Sequence, residues 1–274
     1  MITEHANRPC AHLVNDTEDL NALRVIVSLP LSVAVCMLRP AVLNPLCNMS
    51  RALTVCLMIF GAFFAQHASA QARIIFLGDS ITEAGANPGG YVALVADSLA
   101  VVHPAATVIG AGVSGDKVPD LLMRLDRDVL SQDPSHVVIY IGINDVWHFF
   151  EFEGVTGTDP DVFEAGLREL ILRIETQGAT VLLCTPSVIG EDARRKAPVN
   201  DRLIKYAEMS RRVAEETGVQ LCDLRAAFES YLAENNPSKA YEGILTTDGV
   251  HLNEAGNRFV ADFMIGVLSV VLSP

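Results

Sequence analysis

The chain has 274 residues, half of them apolar and 19% charged, and its 33 acidic and 20 basic side chains give a net charge of −13. That length supports one large domain or two small ones with a core needing no disulfide staples. The acidic balance argues against a nucleic-acid or anionic-membrane partner, which clustered Lys and Arg would serve, and the composition excludes collagen-like and disordered chains.

The charge is unevenly placed. Residues 1–70 hold four acids and four bases, so the whole −13 falls on residues 71–274. Residues 1–48 lack clear periodicity or turn logic and read as an upstream extension or a long leader. Met49 then precedes Arg51, a 14-residue apolar run from Ala52 to Ala65, and Ala68-Ser69-Ala70. A base, a short apolar run and an Ala-x-Ala site make the three-part layout of a secretory signal peptide, and the run falls short of the roughly 20 residues that span a bilayer. Residues 49–70 are therefore expected to be cleaved after Ala70, which sends the protein to a periplasmic or secreted location with no stable membrane insertion afterwards. The upstream apolar run Val25–Leu38, flanked by Arg24 and Arg39, leaves an uncleaved membrane anchor as the alternative.

From Ala72 onward, short apolar runs alternate with segments of helical period. The runs are Arg73–Leu77, Ala106–Ile109, His136–Ile141, Thr180–Cys184 and Val219–Cys222. Unbroken apolar runs suit strands buried on both faces, as in a parallel sheet. Helices are expected at about 90–102, 118–131, 160–177, 199–217, 224–235 and 253–271. In 160–177, Phe163, Leu167, Leu170, Ile171 and Ile174 recur at three- and four-residue spacing while Glu164, Arg168, Glu169 and Arg173 take the other face. No linker or repeat divides residues 71–274, so they are expected to form one α/β domain with an open, five-stranded parallel sheet and helices on both sides. Four of the six cysteines lie in the first seventy residues. The other two, Cys184 and Cys222, each end a strand and read as buried thiols or, in an exported protein, as a bridge.

Ligands of such sheets bind beyond the carboxyl ends of the strands. The first strand ends in Gly78-Asp79-Ser80-Ile81-Thr82, which puts a hydroxyl at the sheet edge, although a Ser after a strand is also a common helix cap. It is not the Gly-x-Ser-x-Gly elbow, because Thr82 stands at the second Gly position. The second strand is followed by Gly110-Ala111-Gly112-Val113-Ser114-Gly115-Asp116, a flexible turn on its own. Gly142-Ile143-Asn144-Asp145 follows the third and offers either a turn former or an amide donor for a developing oxyanion. Asp248-Gly249-Val250-His251 precedes the last helix. An Asp three residues before a His can hold the imidazole tautomer that accepts a proton from Ser, or the two can be loop and capping residues. All four elements fall on the same expected edge.

In that order these residues resemble the four blocks of the SGNH (GDSL) hydrolases, and the resemblance covers residues 73–271. It implies a flavodoxin-like, three-layer α/β/α sandwich and a serine esterase that hydrolyses carboxylic esters through an acyl-enzyme. Carried onto this chain, it makes Ser80 the nucleophile, His251 the base and then acid, and Asp248 its orienting partner. The oxyanion hole is the N–H of Ser80, the N–H of Gly112 and the side-chain amide of Asn144. Two positions depart from the common pattern: Gly110 stands where many members have Asn, and Leu252 where many have Pro. Asp79, Asp116 and Asp145 are expected to bond loop N–H groups. No His, Cys, Asp or Glu cluster has metal-ligand spacing, so no metal and no cofactor are expected.

For the substrate, Trp147 with His148, Phe149 and Phe150 reads as an acyl or sugar-stacking wall or as a local aromatic core. Ile244 and Leu245, with Tyr241, are expected to line the opposite side. Short loops and an acidic surface favour a small soluble ester, such as an acetylated carbohydrate, over long-chain lipid. A thioesterase or lysophospholipase on the same residues, and a flavodoxin-like binding module in which Ser80 merely donates a hydrogen bond, are the alternatives.

Overall fold

Five parallel strands lie in the order β2-β1-β3-β4-β5: β1 (Arg73–Gly78), β2 (Thr107–Gly112), β3 (His136–Tyr140), β4 (Thr180–Cys184) and β5 (Gln220–Cys222). The computed structural model describes residues 72–272 apart from 152, 153, 155 and 193–197. The leader, its cleavage site and the upstream apolar run lie outside the described residues. The apolar runs of β1, β3 and β4 are buried on both faces, with Ile74, Ile75, Phe76, Leu77, Val137, Val138 and Ile139 fully inaccessible. That is the pattern of a sheet covered twice.

One layer is formed by α2 (Tyr91–Val102), α7 (Leu224–Asn235) and α8 (Glu254–Val271), the other by α3 (Val118–Asp128), α5 (Pro160–Thr176) and α6 (Pro198–Thr217). Two short helices, α1 (Ser80–Gly85) and α4 (Ile143–Trp147), sit directly after β1 and β3. The result is a three-layer α/β/α sandwich with the doubly wound, flavodoxin-like strand order. Its chain reverses winding at β1, so the crevice between the ends of β1 and β3 is where such a sheet takes its ligand.

The helices form for legible reasons. Pro160 opens α5, and Phe163, Leu167, Leu170, Ile171 and Ile174 bury its inner stripe, each apolar side chain contributing roughly 1.5–3 kcal/mol. Phe163 meets Tyr206 of α6 with ring centroids 4.7 Å apart. In the other layer Phe228 of α7 packs edge-on against Phe259 of α8 at 5.2 Å. Gly90 has no side chain with which to cap α2, and the amide of Tyr91 instead donates to Asn257 Oδ1 of α8 at 2.9 Å.

Two boundaries and two short helices differ from the sequence reading. Strand β2 continues through Gly110, Ala111 and Gly112, which pair in register with Phe76, Leu77 and Gly78. Helix α3 stops at Asp128 and gives way to a single 3₁₀ turn at Leu130–Gln132. The helices α1 and α4 replace expected loops. Cys184 and Cys222 are register partners on neighbouring strands and are both buried free thiols, so the bridge is not formed.

Candidate active site

Ser80 is placed by its predecessor. Asp79 caps α1, its Oδ1 accepting from the amide of Ile81 at 3.0 Å, so Ser80 becomes the first helical residue just beyond the end of β1. Burial of Asp79 raises its pKa from the ordinary value to about 7; the Ile81 amide pulls it down, the nearby Asp145 carboxylate pushes it up, and His251 lowers it.

The Ser80 hydroxyl lies 2.9 Å from His251 Nε2, across 171 residues of sequence. On the far side of the ring, His251 Nδ1 is 2.7 Å from Asp248 Oδ2. The other carboxylate oxygen of Asp248 accepts from the amides of Val250 at 2.9 Å and His251 at 2.7 Å. Partial burial would push Asp248 up, but the bonds from the His251 ring and from these two amides outweigh it, and the carboxyl sits below its usual range. A hydroxyl, an imidazole and an ionised carboxylate thus lie in line, the arrangement that lets a histidine withdraw a serine proton.

Two glycines let backbone close around Ser80. A Cβ on Gly112 would lie 2.1 Å from the amide nitrogen of Glu83 and 2.6 Å from the carbonyl of Asp79, so only glycine lets the end of β2 press against the start of α1. Gly142, with φ of +123°, makes the turn from β3 into α4, a backbone region that side chains disfavour. Asn144 then sits in α4, 4% exposed, and its Nδ2 donates to the carbonyl of Asp116 at 3.1 Å. Asp145 Oδ1 accepts from the amide of Val118 at 3.1 Å, and burial raises its pKa to about 7 against the pull of its hydrogen-bond partners.

Of the three loop acids, Asp79 and Asp145 bond backbone amides as expected, whereas Asp116 pairs with Arg124 at 2.6 Å. Arg124 also donates to the carbonyls of Gly78 at 2.8 Å and Ala111 at 2.9 Å. It ties the ends of β1 and β2 together beneath the site, a role the sequence reading did not assign. The reading also missed Glu191, 0% exposed, whose carboxylate accepts from the amides of Ile244, Leu245 and Thr246. No pattern of residue types announces a side chain that bonds to backbone some fifty residues away.

The expected substrate walls divide. Trp147 tilts over the His251 ring with centroids 6.5 Å apart, and Ile244 is half-buried beside the same loop. Leu245 is 1% exposed and belongs to the core, so it presents no surface to a substrate. Phe149 stacks under the Arg202 guanidinium at 4.1 Å, a cation–π contact. A cavity of about 240 Å³ is lined by Tyr241, Gly190, Asn200, Asp192 and Glu151.

Residues 76–259 match the GDSL-like Lipase/Acylhydrolase family. The chain belongs to that family. It is 34% identical over 204 residues to an acetylxylan esterase of Geobacillus stearothermophilus, a match covering 69% of this chain and 90% of the relative. It is 27% identical over 205 residues to the isoamyl acetate-hydrolyzing esterase 1 homolog of Rattus norvegicus, covering 69% of this chain and 78% of that one. Among solved structures, the acetyl xylan esterase AlAXEase superimposes with a TM-score of 0.69 at 42% identity, over 73% of this chain and all of the other. Axe2 of Geobacillus stearothermophilus does so with a TM-score of 0.63 at 31% identity, over 72% of this chain and 94% of that one. Catalytic mutants of Axe2 have been solved at a serine, an aspartate and a histidine, the last two three positions apart in its chain. The protein is a carboxylic ester hydrolase of the GDSL family, close to acetylxylan esterases.

Proposed function

We propose that this esterase removes acetyl groups from carbohydrate through Ser80, His251 and Asp248. The observation that carries the proposal is the continuous line of hydrogen bonds from the Ser80 hydroxyl through His251 to Asp248, at 2.9 and 2.7 Å. The three-residue spacing of the aspartate and histidine altered in Axe2 supports it, since Asp248 and His251 are spaced alike.

In the reaction, Ser80 Oγ attacks the acetyl carbonyl carbon while His251 Nε2 takes the hydroxyl proton. The charge that develops on the carbonyl oxygen is met by the amides of Ser80 and Gly112 and by the Asn144 N–H that is not committed to Asp116. Collapse expels the sugar oxygen, which receives the proton from His251 and leaves an acetyl-serine. Water, deprotonated by His251, attacks that ester, and acetate departs as Ser80 recovers its proton. Asp248 stays ionised throughout and stabilises the imidazolium. The alcohol leaves on the His251 side, where Trp147, tilted over the imidazole, and the half-buried Ile244 offer apolar faces for a neutral sugar.

A fluorophosphonate probe tests the nucleophile: wild type is expected to be labelled and Ser80→Ala not, and a folded wild type that resists labelling overturns the assignment. Acetate release from acetylated xylo-oligosaccharides is expected to exceed hydrolysis of p-nitrophenyl palmitate by far, and the reverse order would reject the substrate class. Export with cleavage after Ala70 is part of the same proposal and rests on the layout of residues 49–70. A secreted chain whose N-terminus lies well upstream of Gln71 would refute it.

A further inference from the structure

Between α7, ending at Asn235, and α8, starting at Glu254, the described chain forms one isolated bridge, Thr246 with Leu252, and no ladder. Yet this segment carries Asp248 and His251, and the proposed chemistry needs His251 held within hydrogen-bond reach of Ser80. Within the segment the amide of Thr247 donates to the carbonyl of His251 at 2.8 Å and that of Asn253 to the carbonyl of Leu245 at 2.9 Å, and two residues downstream of β4 tie it to the rest of the fold. The amide of Gly190 donates to the carbonyl of Gly249 at 2.7 Å, and the amide of Glu191 donates to the carbonyl of Tyr241 at 2.7 Å.

The Glu191 side chain does more. Its Oε2 accepts from the amide of Ile244 at 2.7 Å, and its Oε1 from the amides of Leu245 at 2.6 Å and Thr246 at 2.5 Å and from the Thr246 hydroxyl at 2.8 Å. All four partners donate, so both oxygens serve as acceptors only, the part an ionised carboxylate plays. Three consecutive amides converging on one anion form a concave nest. The Thr246 hydroxyl passes the contact on, accepting from the amide of Gly249 at 3.1 Å, between Asp248 and His251. Glu191 is itself fixed, because its carbonyl accepts from Asn236 Nδ2 at 2.9 Å.

We infer that Glu191 is a positioning residue of the reaction: it gathers residues 244–246 into an arc and, through Thr246 and Gly249, sets where the His251 ring meets Ser80. This rests on the assignment of Ser80, His251 and Asp248 made above. Glu191 touches no substrate. It acts on the geometry of the base.

Glu191→Gln keeps the shape of the side chain but turns one acceptor into an N–H donor that faces a backbone N–H. A displacement of the order of 1 Å at the reacting groups costs about 100-fold in rate, so kcat on p-nitrophenyl acetate is expected to fall by at least about tenfold while KM stays within about twofold. Fluorophosphonate labelling of Ser80 should slow by the same factor. Leu268→Ala, in the core about four turns further along α8, supplies the control for lost stability alone. Assayed well below its melting temperature, it is expected to keep its kcat despite a comparable drop in thermal midpoint. Thr246→Val breaks only the link from Glu191 to Gly249 and should lower kcat in the same direction. The double variant should lose little beyond Glu191→Gln, as coupled sites do.

A labelled wild type with Glu191→Gln reacting within about twofold of its rate defeats this proposal alone, whereas a folded wild type that is not labelled defeats the serine assignment and the proposal with it. If Glu191→Gln does not fold, Thr246→Val decides: a kcat within about twofold of wild type overturns the inference, and a fall of about tenfold at unchanged KM supports it.

Discussion

The proposed mechanism gives the amide nitrogen of Asn144 two tasks. One N–H holds the carbonyl of Asp116 at 3.1 Å, which locks the side-chain rotamer, and the second is the proposed oxyanion donor. Replacing it with Ala removes the donor without touching Ser80, His251 or Asp248, so kcat should fall about 100- to 1,000-fold, the usual effect of losing one such donor. Fluorophosphonate labelling should persist at a reduced rate. Steady-state kinetics on p-nitrophenyl acetate checks this, and a loss below about fivefold would take Asn144 out of the hole. At this scale the sequence is legible where chemistry restricts the residue type. A Ser, an Asn and an Asp three residues before a His, each beside a strand end or a helix start, can be read in one dimension. Leu245 shows the limit. Its place in the chain, before the Asp–His loop, says nothing about which way its side chain turns, and packing turned it into the core.

At the scale of elements, the site depends on how β1 and β2 end. Arg124 reaches across from α3, 7% exposed, and binds the carbonyl of Gly78, the carbonyl of Ala111 and the Asp116 carboxylate in one fork. Burial holds Asp116 above its ordinary value although the guanidinium lowers it. Arg124→Ala therefore leaves a partly buried carboxylate without its cation and takes a donor from the Ala111 and Gly78 carbonyls, the latter keeping the Val113 amide. The expected cost is about 1.5–3 kcal/mol, the range for hydrogen bonds to a charged group, read as a shift in the urea midpoint at unchanged slope. Arg124→Lys should recover little, because an ammonium cannot reproduce the planar fork. A loss under about 1 kcal/mol for Arg124→Ala would mean that the fork is replaceable by water. The elements that carry Ser80 and Asn144 are also those the sequence hides. Helices of six and five residues, α1 and α4, are too short to show a 3.6-residue period. Gly110-Ala111-Gly112 reads as a loop because glycine has poor strand propensity, whereas in the fold the close approach of α1 demands it. The long, amphipathic helices and the apolar strands, whose signals repeat several times, stand within a few residues of where the pattern places them.

The whole molecule sets its site into a sheet with two buried acids beneath it. Asp79 and Asp145 lie under the strand ends, 2% and 0% exposed, and each has its pKa raised to about 7 by burial. In the unfolded chain both titrate near the ordinary value of 3.8. Between those limits the folded protein binds protons that the unfolded chain has released, so the stability of the fold must decline as pH rises through this window. Below about pH 4 neither group penalises folding; above about pH 7 both are ionised in either state and the penalty levels off. Three pH units correspond to about 4 kcal/mol for an isolated group, an upper bound here because the two carboxylates also repel each other. Asp248 works in the opposite sense, since its lowered pKa adds stability that is present above the ordinary carboxylate value and lost on acidification. Half of its side chain is exposed, so solvent screens that gain. His136 and His148, which burial holds below the ordinary imidazole value, also add stability as pH rises toward 6.5, but they are only partly buried, and the two fully buried acids outweigh them. The expected result is a urea midpoint that falls from pH 5 to pH 7, and a flatter profile in Asp145→Asn, which retains an oxygen to accept from the Val118 amide. A wild-type midpoint that rises across this range, or a slope unchanged in Asp145→Asn, would show that the carboxylates beneath the site are ionised in the folded protein at pH 5.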